Sequence, residues 1–152
     1  MGFIREENGR GAAWLVWIDG GEPVRMTSPV LDVLELAVSD TGEVYAAVGP
    51  ASAPHIVKVS RVAERVDVVG VVPGAARYPS VSPNGRRIAL SRLHRGTWQL
   101  AVFDLANRRE EQLTDLPCNA IDPGWIDDHT IVYASDCGRG PDLTAISKIT
   151  AP

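Results

Sequence analysis

The run Asp127, Asp128 and His129 is the densest group of potential metal ligands in the sequence. Carboxylate oxygens and an imidazole nitrogen can together bind a divalent cation. The run falls in a predicted turn, however, where aspartate side chains ordinarily accept hydrogen bonds from nearby backbone N–H groups. The other histidines, His55 and His94, occur in different repeats and at no shared strand position. Turn formation is therefore the favoured interpretation, and neither a metal nor any other cofactor is predicted.

Two further patterns fall short of a catalytic signature. The glycine-rich stretch 136–140 follows a predicted strand, but it opens no helix and lacks the Lys-Ser/Thr pair of a phosphate-binding loop. No Gly-x-Ser-x-Gly sequence, the nucleophile elbow of α/β hydrolases, occurs in the chain. The sequence predicts a protein that is not an enzyme.

The two cysteines, Cys118 and Cys137, are not spaced as a Cys-x-x-Cys metal pair. If a hairpin turns at Asp127 and Asp128, the cysteines lie about equally far along its opposite arms. Residues facing each other across a hairpin are close enough to form a disulfide when their side chains point the same way. Two free, partly buried thiols are the alternative. A bridge would favour an oxidising compartment such as the bacterial periplasm.

Short strands must position all of these residues, because nothing in the sequence has the pattern of a long amphipathic helix. Apolar segments rich in Val, Ile and Leu are interrupted by Gly, Pro, Asn or Asp about every 8 to 12 residues. The hydrophobic content of 45% and the charged content of 22% are those of an ordinary globular protein. The chain is therefore predicted to be all-β.

A turn-and-strand pattern recurs about every 43 or 44 residues, at 36–45, 78–88 and 122–131. A repeat of this length with four short strands per unit is typical of β-propeller blades. The prediction is a single propeller segment over 1–152 with about three to three and a half blades, each a four-stranded antiparallel meander. It comprises a partial blade at 12–28, blades at 33–75 and 77–117, and a second partial blade at 121–150.

The middle repeat reads Tyr-Pro-Ser-Val-Ser-Pro-Asn-Gly from Tyr78 to Gly85, and two arginines and an apolar strand follow. Together with Val102-Phe103-Asp104-Leu105 and Gln112-Leu113-Thr114, it resembles the WD40-like (PD40) repeat of TolB-type propellers. The resemblance implies a bacterial protein, often of the periplasm or cell envelope, whose propeller binds another protein or covers the entrance of an enzyme. Serine peptidases of the prolyl oligopeptidase type carry a related propeller beside a hydrolase domain.

Three and a half blades are fewer than the four to eight that usually close a propeller ring. The chain is therefore expected either to be part of a longer propeller or to be completed by a partner. That partner is another protein or a second copy, and two copies would form a ring of about six blades. The residues proposed for the interface are Trp14, Trp17, Ile146 and Ile149.

The alternative function is an enzyme-associated or small-ligand-binding propeller with a polar funnel along the ring axis. It predicts that Asp32, Arg77, Asn119 and Asp122 converge on that axis. Nucleic acid is not an expected partner, because the net charge is −4 and acidic neighbours offset the arginines of the middle repeat. No apolar run approaches the roughly 20 residues that cross a bilayer, so no membrane span is expected.

Overall fold

The computed structural model describes residues 1–62, 65–137 and 145–151, and only the backbone of residues 61, 62, 65 and 145–148. Within these ranges the chain forms four antiparallel sheets and no α-helix, so the all-β prediction is confirmed. The described part accordingly contains no apolar helix of membrane-spanning length.

The four sheets follow one another along the chain, and each is a simple antiparallel meander. The first sheet contains β1 (Gly2–Glu7), β2 (Arg10–Leu15) and β3 (Val24–Arg25), and the second contains β4 (Val33–Val38), β5 (Val44–Val48), β6 (His55–Val62) and β7 (Arg65–Val72). The third contains β8 (Ala76–Val81), β9 (Arg87–His94), β10 (Thr97–Asp104) and β11 (Glu110–Gln112), and the fourth contains β12 (Ala120–Asp127), β13 (Thr130–Ser135) and β14 (Ala145–Thr150).

Consecutive sheets pack face to face around three apolar cores. Ala13 and Met26 of the first sheet meet β4, β5 and β6, whereas Leu90 and Phe103 of the third sheet meet the opposite face of the second. A third core around Ile131 joins the third and fourth sheets. Strands β4, β8 and β12 contact one another in turn, so they form the inner row of the stack. This is the arrangement of adjacent propeller blades.

The first and third sheets have the same construction, at positions 87 residues apart. The N–H of Ala13 donates to Thr27 Oγ1 at 3.0 Å, and the N–H of Leu100 donates to Thr114 Oγ1 at 2.9 Å. The hairpins agree as well, because positive φ angles occur at Asn8-Gly9 in one and at Arg95-Gly96 in the other. Strands β1, β2 and β3 therefore correspond to β9, β10 and β11, the second, third and fourth strands of a blade.

Strand β1 was not predicted, so the first sheet begins at Gly2 rather than within the partial blade proposed at 12–28. Its three consecutive charged residues, Arg5, Glu6 and Glu7, interrupt the alternation of apolar and polar residues that predicts a strand. The Asn8-Gly9 pair that forms the turn is a strong hairpin signal and could have revealed it.

The connection from the third to the fourth sheet is organised by Gln99, which is completely buried. Its Oε1 accepts hydrogen bonds from the Thr114 hydroxyl at 2.8 Å and from the Leu116 N–H at 2.9 Å. Its Nε2 lies within 3.0 Å of the carbonyl oxygens of Leu116 and Cys118. Because each polar atom of the amide is satisfied, Gln99 holds this connection against β10 without an unpaired buried group.

Cys118 and Cys137 form a disulfide in the structure, with their Cα atoms 5.4 Å apart. The two residues flank the β12–β13 hairpin just beyond the paired residues Ala120 and Ser135. The bridge thus joins the connection held by Gln99 to the end of β13.

Candidate functional site: the inner strands and the outer face of the first sheet

A bulge interrupts two of the inner strands at equivalent places. Pairing between β8 and β9 shifts at Tyr78-Pro79, and pairing between β12 and β13 shifts at Asp122-Pro123. Both residues that precede proline have positive φ, 53° at Tyr78 and 51° at Asp122. A positive φ is unusual for a residue as bulky as tyrosine. Bulges redirect the side chains at their position, so these two residues are placed differently from the rest of their strands.

A polar cluster crosses from β4 to β8 at this level. Arg77 forms an ion pair with Glu35, donating from Nε to Glu35 Oε1 at 2.7 Å, and its guanidinium lies 4.7 Å from the Tyr78 ring centroid. Burial alone would lower the pKa of Arg77, but the hydrogen bond and charge of Glu35 outweigh it and raise that pKa. The exposed Asp122 adds to the effect. The second carboxylate oxygen of Glu35 is buried and has no hydrogen-bond partner.

Two of the four predicted funnel residues serve the packing of sheets instead. Asp32 Oδ1 accepts the N–H of Gly11 at 2.9 Å, and Asn119 Oδ1 accepts the N–H of Trp98 at 2.9 Å. Asn119 also donates to Asp136. These are equivalent contacts, in which the residue before an inner strand binds the third strand of the preceding sheet. Arg77 and Asp122 are brought together, and Glu35 joins them although its sequence context gave no signal.

The run at 127–129 forms a turn. Asp127 Oδ1 accepts the His129 N–H at 2.8 Å, and Asp128 Oδ1 accepts the Asn84 N–H of the third sheet at 2.9 Å. The first of these bonds is the main reason that the pKa of Asp127 is lowered. Among the described residues, no group of three or more His, Cys, Asp or Glu side chains is placed to hold a metal ion.

The first sheet turns one face to the second sheet, and no other sheet among the described residues packs on its opposite face. Strand alternation places Ala13 and Leu15 on the covered face and Trp14 and Val16 on the outer face, with Phe3 opposite Trp14. The outer residues Phe3, Trp14 and Val16 correspond to Leu90, Ala101 and Phe103 of the third sheet, which pack in the core against the second sheet.

Charged side chains surround Trp14 on this outer face. Its Nε1 donates to Glu7 at 3.1 Å, Glu7 forms an ion pair with Arg25 at 3.1 Å, and the Arg5 guanidinium lies 5.8 Å from the indole centroid. Trp14 and its neighbours remain half-buried as a result. The face therefore combines apolar residues at core positions with a polar rim.

The other predicted interface residues lie elsewhere. Trp17 is 67% exposed beside a groove of about 390 Å³ between the first and second sheets, and the adjacent Ile18 is 96% exposed. Trp14 and Trp17 thus occupy different surfaces. Ile149 packs against the core between the third and fourth sheets and is not part of an open surface. The backbone of Ile146 pairs with Ala134, and its side chain lies outside the described residues.

The last sheet also has an outer face. Strand alternation turns Ile131 and Tyr133 toward the third sheet, and Val132 and Ala134 therefore face away from it. Both are half-buried, and Ile126 of the adjacent strand β12 is exposed. The outer faces of the first and last sheets thus each carry some apolar residues that no other described sheet covers.

Solved structures with the same fold include two TolB-type proteins. One from Agrobacterium tumefaciens is 20% identical, with a TM-score of 0.79 over 98% of this chain and 56% of its own. TolB from Acinetobacter baumannii is 19% identical, with a TM-score of 0.70 over 91% of this chain and 34% of its own.

A puromycin-hydrolyzing peptidase from Mycobacterium tuberculosis is also similar, at 16% identity and a TM-score of 0.62, over 99% of this chain and 29% of its own. No protein-family model matches the sequence, and no curated protein does. The chain therefore has the TolB-like propeller fold and spans about half or less of these similar structures.

Proposed function

We propose that this chain is a non-catalytic propeller scaffold that assembles with a second copy of itself. In this assembly the outer face of the first sheet packs on the outer face of the last sheet of the other copy. The observation that carries the proposal is the placement of Phe3, Trp14 and Val16 at positions that form a core between sheets elsewhere in the same chain.

The packing of the inner sheets gives the physical reason. In the third sheet, Leu90, Ala101 and Phe103 are almost fully buried because the second sheet covers them. In the first sheet, the equivalent residues are only half-buried, because no other sheet of the described residues packs on their face. Covering apolar side chains yields about 25 cal/mol per Å² of apolar surface removed from water. This pattern of side chains therefore fits packing against another propeller sheet.

The number of strands in the first and last sheets changes the number of blades expected in the ring. A ring of six blades would require the first sheet of one copy and the last sheet of the other to merge into one four-stranded blade. Each of these sheets already has three strands, and both contain a second and a third strand. They cannot share a blade in this form. Two copies would instead contribute four sheets each, and the resulting eight sheets are still within the usual range for propellers.

A matched pair of substitutions tests the proposal. Val16→Glu places a charge on the outer face of the first sheet, and Val30→Glu places the same charge in a loop where the side chain is already 74% exposed. We expect the first variant to shift the chain toward monomer in sedimentation equilibrium, because an unpaired charge in an apolar interface is costly. The second variant should associate like the wild type. Equal association of both variants would contradict the proposed interface.

A second candidate function is the binding of a cationic group at the inner strands, as in the funnel predicted from the sequence. The buried, unpartnered Oε2 of Glu35 and the exposed carboxylate of Asp122 favour it, since both can accept hydrogen bonds from an ammonium group. Triglycine, whose amino terminus is such a group, is a suitable probe. Saturable NMR shifts at Arg77 and Tyr78 that weaken in Asp122→Asn would support this function, and unchanged spectra would contradict it.

A further inference from the structure

We infer that the free edge of β1 is a binding site for an extended segment of another polypeptide, of the same type as β8. This site is an edge of the first sheet, distinct from the outer face discussed above, and the inference does not depend on self-assembly. The occupant is defined chemically by the strands that fill the equivalent place in the third and fourth sheets.

Backbone geometry shows which groups are available. Met1 and Val16 exchange two hydrogen bonds, so residues 1, 3, 5 and 7 point their backbone groups toward β2. The N–H and C=O groups of Gly2, Ile4 and Glu6 therefore point to the opposite side. In the third sheet, the equivalent residues Ala89, Ser91 and Leu93 point toward β8, and the Leu93 N–H donates to Ala75 O at 3.3 Å.

Burial shows that no described strand fills the equivalent place beside β1. Ser91 is completely buried where β8 lies against β9, whereas the equivalent Ile4 is 39% exposed. Arg5 and Glu6 are exposed as well. An open strand edge is a template for pairing with another strand.

The inner strands of the same stack define the segment that fits. Strands β8 and β12 both begin with a buried alanine, carry proline at the fourth position and have a small residue at the fifth. A segment that pairs with β1 must be extended, and it runs antiparallel to β1 if it binds as β8 binds β9. Side chains on one of its faces must be small enough to pack near β4. A segment with the β8 pattern meets these requirements because β8 itself lies between β9 and β4.

A labelled peptide that spans residues 74–84 of this chain, and therefore contains β8, is a direct probe. We expect it to bind the whole chain saturably in fluorescence anisotropy, whereas a scrambled peptide should not. It should also slow amide hydrogen exchange at Gly2, Ile4 and Glu6. Absence of saturable binding by the β8 peptide, or equal binding by the scrambled one, would overturn the inference.

Two variants at one position identify the edge as the site. Ile4→Pro removes an N–H that points away from β2, so the β1–β2 hydrogen bonds are retained, as is usual for proline in an edge strand. We expect this variant to bind the peptide at least tenfold more weakly. Ile4→Ala keeps the N–H and should bind within about twofold of the wild type if backbone pairing dominates. Unchanged binding by a folded Ile4→Pro variant would place the peptide elsewhere and refute the edge site.

Discussion

Replacing Gln99 by leucine should destabilise the chain far more than the same replacement at an exposed glutamine. Leucine removes the acceptor for the Leu116 N–H and for the Thr114 hydroxyl, and it leaves two carbonyl oxygens without the amide donor. An unsatisfied buried polar group costs about 1–3 kcal/mol, and the hydroxyl and carbonyls can find partial compensation. We therefore expect the free energy of unfolding to fall by about 2–4 kcal/mol.

Urea unfolding monitored by tryptophan fluorescence measures this change. Gln112→Leu is the matched control, because Gln112 is exposed and its side chain makes one hydrogen bond, to the Thr114 carbonyl at 2.6 Å. That variant should lose no more than about 1 kcal/mol. Equal losses in the two variants, or a loss below about 1 kcal/mol for Gln99→Leu, would show that the buried amide does not organise the connection between the third and fourth sheets.

Three further predictions concern the packing of sheets, a buried phenol and the disulfide. Gly11→Ala should lower the free energy of unfolding by more than about 1 kcal/mol, because the added Cβ would lie 2.0 Å from the Val33 carbonyl oxygen of the second sheet. Gly70→Ala is the control, since no atom lies within 4 Å of its added Cβ, and it should be neutral in the same urea assay. Burial raises the pKa of Tyr45 to about 12. The neutral phenol therefore stabilises the fold below about pH 10, and this contribution is lost as the pH rises toward 12. A titration step near pH 12, followed by absorbance at 295 nm, should disappear in Tyr45→Phe. The disulfide between Cys118 and Cys137 closes a loop with a sequence separation of 19, so replacing both residues by serine should lower the free energy of unfolding by about 3 kcal/mol. Mass spectrometry of the unreduced, alkylated wild type should detect no free thiol.

The repeat and its strands could be predicted because alternating apolar residues and turn residues act locally. The turn around Gly85 is one such local signal, and Val44–Val48 is recognisable as a short, continuous apolar run. Strand β1 was missed because charged residues mask its alternation, although the Asn8-Gly9 turn beside it is clear.

The site depended on contacts that no local pattern encodes. Glu35 occupies an ordinary strand position, and only the stacking of β4 on β8 brings it to Arg77, 42 residues away. Asp32 and Asn119 precede inner strands and were expected to face the axis, but their side chains instead bind the backbone of the preceding sheet. The sequence correctly predicted that Asp32 and Asn119 lie just before inner strands, but it did not predict the direction of their side chains.

The mass of the wild-type chain in solution tests the central claim most directly. The chain has a mass of 16.3 kDa, and light scattering on a sizing column should give twice this value, with dissociation only on dilution. Such a dimer is what packing of the first sheet of one copy on the last sheet of another predicts. A monomer of 16.3 kDa at every concentration would contradict self-assembly as the function of this propeller.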